Sequence, residues 1–330
     1  FFVAFRLPNT FRRLFAEGTF NAAFIPSYAK ASLKNKKEGK IFADEVFNLL
    51  LYILIFFIII VEIFTPVVVY LIAPGFFADS EKLSLAVEFT RITFPFLLFV
   101  SLSSLLAGIL NTNNKFAAAA AAPIALNIVL IFSLLLAFNL ELNIAKSLSV
   151  GVTLSGIIQF LILIFFTKKF YFPSLKISLK FKKNIKFFFK KLLPSIFSAG
   201  ITQINILVGT IIASFQTGAV SYLYYADRIY QINLAIAGIA VGTVVLPNLS
   251  KKIKENNENS INILQNKSLE LSLALSLPAA FGLFIASKEI VSSLFGYGSF
   301  TQDDVTNTSL ALMYFALGVP AFALIKVLSS

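Results

Sequence analysis

Composition, apolar runs of membrane-spanning length and an alternation in loop charge all point to an all-α polytopic membrane protein. Its helices are expected to form two parallel-repeat lobes around a central cleft. Of 330 residues, 58% are hydrophobic and only 13% charged, with a mean hydropathy of +0.84. A soluble domain carries about 25% charged residues, so a water-soluble globule is excluded. The chain has no Cys and no His, which removes thiol catalysis, disulfides, zinc fingers and His-based triads. No metal or other cofactor is therefore expected.

Crossing about 30 Å of hydrocarbon takes roughly 20 apolar residues. Stretches that meet this fall near 1–29, 46–73, 85–110, 118–138, 144–167, 187–215, 221–249, 262–286 and 305–328, about nine in all. The first contains Arg6, Arg12, Arg13 and Glu17, and Pro8 should bend it near its middle. The second, VFNLLLYILIFFIIIVEIFTPVVVYLIA, holds a single charge, Glu62. Arg91 sits near the outer end of the third, where a long side chain can snorkel to the interface. The fourth opens on Ala117 to Ala122 and Pro123, which reads as a close-packed helix start. Asp227 and Arg228 lie inside the seventh, followed by small residues such as Gly238 and Gly242 that suit helix contact.

Lysines mark every second loop. Lys30, Lys34, Lys36, Lys37 and Lys40 follow the first stretch, and nine lysines between Lys168 and Lys191 follow the fifth. Lys251, Lys252, Lys254 and Lys267 follow the seventh, whereas Asp79 and Glu81, Glu141, and Asp303 and Asp304 mark the loops between. By the positive-inside rule the basic loops are cytoplasmic. The net charge of +12 therefore does not indicate a nucleic-acid partner: the lysines sit at membrane edges without interleaved stacking aromatics.

Three features recur at an offset of 221 to 224 residues. Phe1-Phe2 with Arg6 returns as Tyr224-Tyr225 with Arg228. Gly18-Thr19, Pro26 and Lys30 return as Gly242-Thr243, Pro247 and Lys251, and Leu71, Gly75 and Phe77 return as Leu294, Gly298 and Phe300. Six stretches, an even number, separate the copies, so both have one orientation and the repeat is parallel. The expected organisation is a first lobe at 1–167, a cytoplasmic basic linker at 168–191 and a second lobe at 192–330. The second copy opens with a helix at 187–215 that has no counterpart, which predicts a helix before residue 1 and at least two after residue 330. Such lobes around a cleft are the architecture of alternating-access transport.

Arginine is scarce and placed differently from lysine. Only five of the 28 basic residues are arginines, and all five lie within or at the edge of apolar stretches. A guanidinium in hydrocarbon costs roughly 2.5–3.5 kcal/mol on insertion scales, so each should face a wet cleft or an anion. Arginine also suits bidentate binding of phosphate. Arg13 and Glu17 are four apart and able to pair; Arg12 points about 100° away from Arg13 with no acid at i±3 or i±4, which leaves it for a ligand. Arg6 shares a face with Arg13. Adjacent Asp227 and Arg228 diverge by about 100°, so Arg228 is a ligand candidate and Asp227 a group that orients a neighbour. The candidate substrate-binding set is Arg12, Arg228, Arg6, Arg13, Asp227 and Glu17, for an anionic, (pyro)phosphate-bearing substrate.

Several blocks also carry a family resemblance. FFVAFRLPNTFRRLFAEGTFNAAFIPSYA at 1–29, APGF at 73–76, ITFP at 92–95, GILNT at 108–112, and YYADR with GTVVLPNLS within 224–250 resemble the MurJ/MviN family of lipid II flippases, of the multidrug/oligosaccharidyl-lipid/polysaccharide exporter superfamily. The similarity runs in order along essentially the whole chain. It implies a fourteen-helix protein of the bacterial inner membrane that moves undecaprenyl-pyrophosphate-linked peptidoglycan precursor between leaflets, with membrane lipids as further partners and an ion or the membrane potential as driving force. It also implies that Arg12 and Arg228 are essential arginines. Gln231 stands where many relatives have Glu, and Arg6 where many have Lys.

Other functions fit less well. A flippase for another polyprenyl-pyrophosphate oligosaccharide would need the same residues. A cation-drug exporter of the same superfamily should carry more acids in its cleft than Glu17, Glu62 and Asp227 supply. A lipid-phosphate enzyme would need acidic clusters for Mg²⁺, and the adjacent pair Asp303-Asp304 falls on the side away from the cytoplasm. A non-catalytic scaffold gives no reason to keep arginines in a membrane.

Overall fold

The computed structural model describes residues 1–15, 19–175, 183–234 and 258–328. These residues form helices joined by short turns, with no strand among them. Six helical stretches are long and apolar enough to cross a membrane: Lys36–Ile63, Ser80–Thr112, Phe116–Asn139, Ile144–Thr167, Ile263–Ile285 and Gln302–Ile325. They coincide with six of the nine predicted ones. The first predicted stretch is instead two shorter helices, and the described apolar part of 187–215 is Gln203–Ser214. Residues 235–249 lie outside the described residues.

The chain divides into two compact units, Phe1–Phe215 and Gln216–Ser330. In the first, α1 (Phe2–Phe15) and α2 (Thr19–Lys34) precede α3 (Lys36–Ile63), α4 (Thr65–Ile72) and a short 3-10 turn at Pro74–Ala78. Then follow α5 (Ser80–Thr93), α6 (Phe96–Thr112), α7 (Phe116–Ala121), α8 (Ile124–Asn139), α9 (Ile144–Thr167) and α10 (Lys183–Ser214). Central α6 is buried along most of its length, from Phe96 to Leu110. Against it α9 turns Gly156, while Gly151 of the same helix meets Ser133 and Leu130 of α8. A methyl group at Gly156 would stand 2.8 Å from the Phe96 ring, so the two backbones approach only because the side chain is absent. α7 differs from expectation: none of its residues is buried, and only Ala122 beyond it is.

An aromatic cluster explains where α10 belongs. Phe20 and Phe24 stack at 5.3 Å, Phe24 stacks on Tyr28 and Phe42, and Phe188 of α10 meets Phe20 edge-on at 5.6 Å. α10 runs unbroken through the 191/192 boundary drawn from the repeat and packs on α1, α2 and α4. Contacts and repeat therefore divide the chain at different places.

Helix-breaking prolines leave carbonyls without partners, and in hydrocarbon these must be satisfied inside the protein. Pro8 deprives the Ala4 carbonyl of its donor, and Thr93 Oγ1 of α5 supplies one at 3.1 Å. Pro66 frees the Glu62 carbonyl, which accepts from Thr65 Oγ1 at 3.0 Å. At the α5/α6 break around Pro95, the Ile92 carbonyl accepts from Thr153 Oγ1 of α9 at 2.5 Å. Threonine hydroxyls thus complete the backbone where proline has interrupted it.

The second unit contains α11 (Ala219–Leu234), α12 (Glu258–Ile285), α13 (Ser287–Phe295) and α14 (Gln302–Leu328). α14 presents a fully buried stripe at helical spacing, Val305, Thr308, Leu312, Ala316, Val319 and Ala323. Its most extensive neighbour is α12, whose Ser272 and Ser276 are likewise fully buried. Small side chains on both helices allow this close approach.

The predicted repeat is visible in the backbone of the described residues. α3 breaks at Phe64 (φ −99°, ψ 18°) before α4, and α12 breaks at Ala286 (φ −100°, ψ 20°) before α13. The breaks lie 222 residues apart, within the offset read from the sequence.

Candidate functional site

The described candidate residues fall on two helices, one in each unit. On α1, Val3, Ala4, Phe5 and Leu7 are buried against the first unit, and Arg6, Asn9 and Arg12 follow at three-residue spacing, all partly buried. Arg6 Nη1 donates to Thr210 Oγ1 of α10 at 2.5 Å. Thr210 is itself fully buried and donates back to the Ile206 carbonyl at 2.8 Å, so its hydroxyl is fixed as an acceptor for Arg6. Arg12 Nε donates to Asn9 Oδ1 at 3.1 Å.

Arg12 thus has no acid one turn away, as its spacing implied, and the neutral amide of Asn9 engages its Nε instead. The pairing expected between Arg13 and Glu17 lies outside the described residues: Glu17 is not among them, nor is the Arg13 side chain.

On α11, two side-chain pairs run in parallel at i, i+4 spacing. Tyr224 holds Arg228: Nη2 donates to the phenol oxygen at 2.8 Å, and the guanidinium carbon lies 4.6 Å from the ring centroid. Asp227 Oδ2 accepts from Gln231 Nε2 at 2.5 Å. Asp227 and Arg228 therefore go to different partners, as their angular separation predicted. Arg228 is exposed whereas Asp227 is only partly so. The structure brings Arg6 and Arg12 onto one helix of the first unit, and Asp227 and Arg228 onto one helix of the second.

Sequence reasoning missed four partners. Asn9, Tyr224 and Gln231 stand three or four residues from the groups they hold, so helical spacing extended to neutral acceptors would have found them. Thr210 is 204 residues from Arg6, and no local signal marks it.

The remaining ionisable groups have other roles. Asp304 accepts from Thr301 N at 2.8 Å, from Thr301 Oγ1 at 2.7 Å and from Tyr222 at 2.9 Å, which caps α14. Its pairing with Asp303 thus serves a helix end. Arg91 is exposed on α5, as a snorkelling residue would be, and Glu62 keeps one buried oxygen, Oε1, without a partner.

Membrane-length helices, a repeated helix break and arginines held on one helix of each unit define a polytopic α-helical membrane protein of two related halves. Comparison with known proteins specifies which. The chain belongs to the MurJ family, since the family model described as lipid II flippase MurJ matches residues 1–330. It is 43% identical over 331 residues to a probable lipid II flippase MurJ of Rickettsia prowazekii (strain Madrid E), covering 99% of this chain and 64% of that protein. To the corresponding protein of Rhizobium tropici it is 40% identical over 336 residues, covering 99% of this chain and 62% of the relative. The chain thus spans somewhat under two thirds of the length of these curated relatives.

Among solved structures, a lipid II flippase MurJ in an inward closed conformation matches with a TM-score of 0.82 and 29% identity, over 99% of this chain and 67% of that one. An inward-facing multidrug resistance MATE family transporter of the MOP superfamily matches with a TM-score of 0.72 at 15% identity, over 99% of this chain and 76% of that one. The second likeness is one of fold alone.

Proposed function

We propose that the intact protein is a lipid II flippase. It moves undecaprenyl-pyrophosphate-linked peptidoglycan precursor from the cytoplasmic to the outer leaflet of the bacterial inner membrane by alternating access. The two lobes are those of the repeat, 1–167 and 192–330, joined by the basic segment 168–191, with the basic loops cytoplasmic. No covalent chemistry is needed, so the protein is a transporter and not an enzyme. The membrane potential or an ion supplies the driving force.

The reading is carried by Arg228. Its neighbour Asp227 is engaged by Gln231, and Tyr224 offers a neutral phenol and ring, so Tyr224 orients the guanidinium without cancelling its charge. A guanidinium has five N–H donors in a planar fork, and one goes to Tyr224. The others can meet phosphoryl oxygens in the paired geometry that lysine cannot reproduce. Arg12, set by Asn9, plays the matching role on α1, with Arg6 and Arg13 adding positive charge and Asp227 and Glu17 orienting neighbours. A candidate set rich in cations and poor in acids favours a diphosphate over a cationic drug.

Growth of a flippase-depleted cell tests this. The full-length protein is expected to restore growth, and its Arg228→Ala and Arg12→Ala variants, present in the membrane at normal level, are expected to fail. Rescue by either alanine variant removes that residue from the site, and failure of the unsubstituted protein overturns the function.

A further inference from the structure

The turn after α9 is held from behind and bare in front. α9 has the length and composition to cross a membrane and ends at Thr167, so the next residues emerge at a membrane surface. The chain turns at once: Phe170 N and Tyr171 N both donate to the Thr167 carbonyl, at 2.8 and 2.9 Å.

Side chains of α3 then fix the turn. Asp44 Oδ1 accepts from the Tyr171 hydroxyl at 2.9 Å and from Ser174 N at 3.0 Å. Asn48 Nδ2 donates to the Ser174 carbonyl at 2.8 Å and to the Asp44 carbonyl at 2.7 Å. Tyr171 is 2% exposed, and burial, reinforced by the Asp44 charge, pushes its hydroxyl above the usual phenol range, so it stays a donor.

Five residues of this turn that the clamp does not use face outward. Lys168 and Lys169 are exposed, and so are Phe170, Phe172 (60%) and Leu175 (72%). The Lys168 ammonium lies 4.1 Å from the centroid of exposed Phe165, which props the charge beside an apolar ring. Lysines at a helix end complement its dipole, and that alone explains their presence there. It does not explain large apolar side chains exposed on a turn tied to α3 by three hydrogen bonds. Apolar groups that enter a bilayer edge, with ammonium groups at headgroup level, are the signature of an interfacial anchor.

We propose that residues 165–175 form a preorganised site for anionic phospholipid headgroups at the membrane surface. Lys168 and Lys169 bind the phosphate, and Phe170, Phe172 and Leu175 enter the adjoining acyl region. The site depends neither on the direction of transport nor on the substrate carried.

The 330 residues contain no Trp, so Phe172→Trp gives the chain a single fluorescent reporter within the site. In mixed vesicles, quenching by brominated phosphatidylglycerol is compared with quenching by brominated phosphatidylcholine. The anionic lipid is expected to be preferred at least about threefold, since each basic residue near an anionic surface contributes about a fivefold factor. Lys168→Gln with Lys169→Gln in the reporter background should bring the ratio close to one with unchanged helix content, and about 0.5 M salt should do the same by screening. Equal quenching by the two lipids, or a preference that survives loss of both lysines, overturns the proposal. If Phe172→Trp fails to fold, Leu175→Trp reports on the same surface with the same two outcomes. Because the readout is lipid contact and not transport, its result stands apart from the growth test of flippase function.

Discussion

The break at Phe64 and the break at Ala286 have the same backbone and different chemistry. Phe64 N bonds the Ile60 carbonyl and Val68 N the Phe64 carbonyl, each at 3.0 Å; Ala286 N bonds Gly282 and Ile290 N bonds Ala286, each at 2.9 Å. In the first unit Thr65 and Pro66 follow the break, and the Thr65 hydroxyl covers the Val61 and Glu62 carbonyls. In the second, Ser287 and Lys288 follow, with no proline. The glycines beyond the short helices differ as well. Gly75 is needed for space, because a Cβ there would collide with the Ser214 backbone. Gly298, at the equivalent place, has open surroundings but a φ of +65°. A repeat can thus keep a backbone path while each copy reaches it through its own residues.

The largest expected effect separates the two glycines. Gly75→Ala forces α10 and the turn at Pro74–Ala78 apart and should destabilise by about 3 kcal/mol, whereas Gly298→Ala should cost about 1 kcal/mol of backbone strain. Circular-dichroism melting of both variants in one detergent checks this, and equal shifts would erase the distinction.

Next come the hydroxyls. Thr93→Val strands the carbonyl that Pro8 has freed and Thr153→Val the Ile92 carbonyl at the α5/α6 break, at about 1–3 kcal/mol each. Thr308→Val removes a buried hydroxyl that has no partner among the described residues and should be neutral or slightly stabilising. The same melts measure all three, and a loss at Thr308 equal to that at Thr93 would show that its hydroxyl is engaged.

The smallest effect concerns helix starts. Asp79 caps α5 by accepting from Lys82 N at 3.0 Å, and Thr301, 222 residues on, caps α14 by accepting from Asp304 N at 3.2 Å. Asp79→Ala and Thr301→Ala should each cost about 1 kcal/mol. Thr301 should lose more, since Asp304 bonds back to it.

Six of the nine spans, the repeated helix break and the divergence of Asp227 from Arg228 were legible because they follow from composition and from periods of 3.6 residues. Asp227 and Arg228 diverge as helical geometry requires, and Pro8 announces an interrupted ladder. The group that answers the interruption could not be read: Thr93 lies far along the chain, and nothing around it distinguishes it from other threonines. Thr210 beside Arg6, and the hold of Asp44 on Tyr171, are equally products of tertiary contact. The place of α10 was obscured for a different reason. The repeat groups it with the second lobe, while Phe188 and Leu192 bury themselves among aromatics of α2 and α3.

The bond from Thr93 to the Ala4 carbonyl has a mechanical consequence. α1 carries Arg6 and Arg12, and its hydrogen-bond ladder, interrupted at Pro8, is completed by an atom belonging to α5. Neither helix can straighten, slide or twist at that level without breaking the bond or taking the other along. A movement of α1 that repositions the two arginines therefore either breaks this bond or carries α5 along.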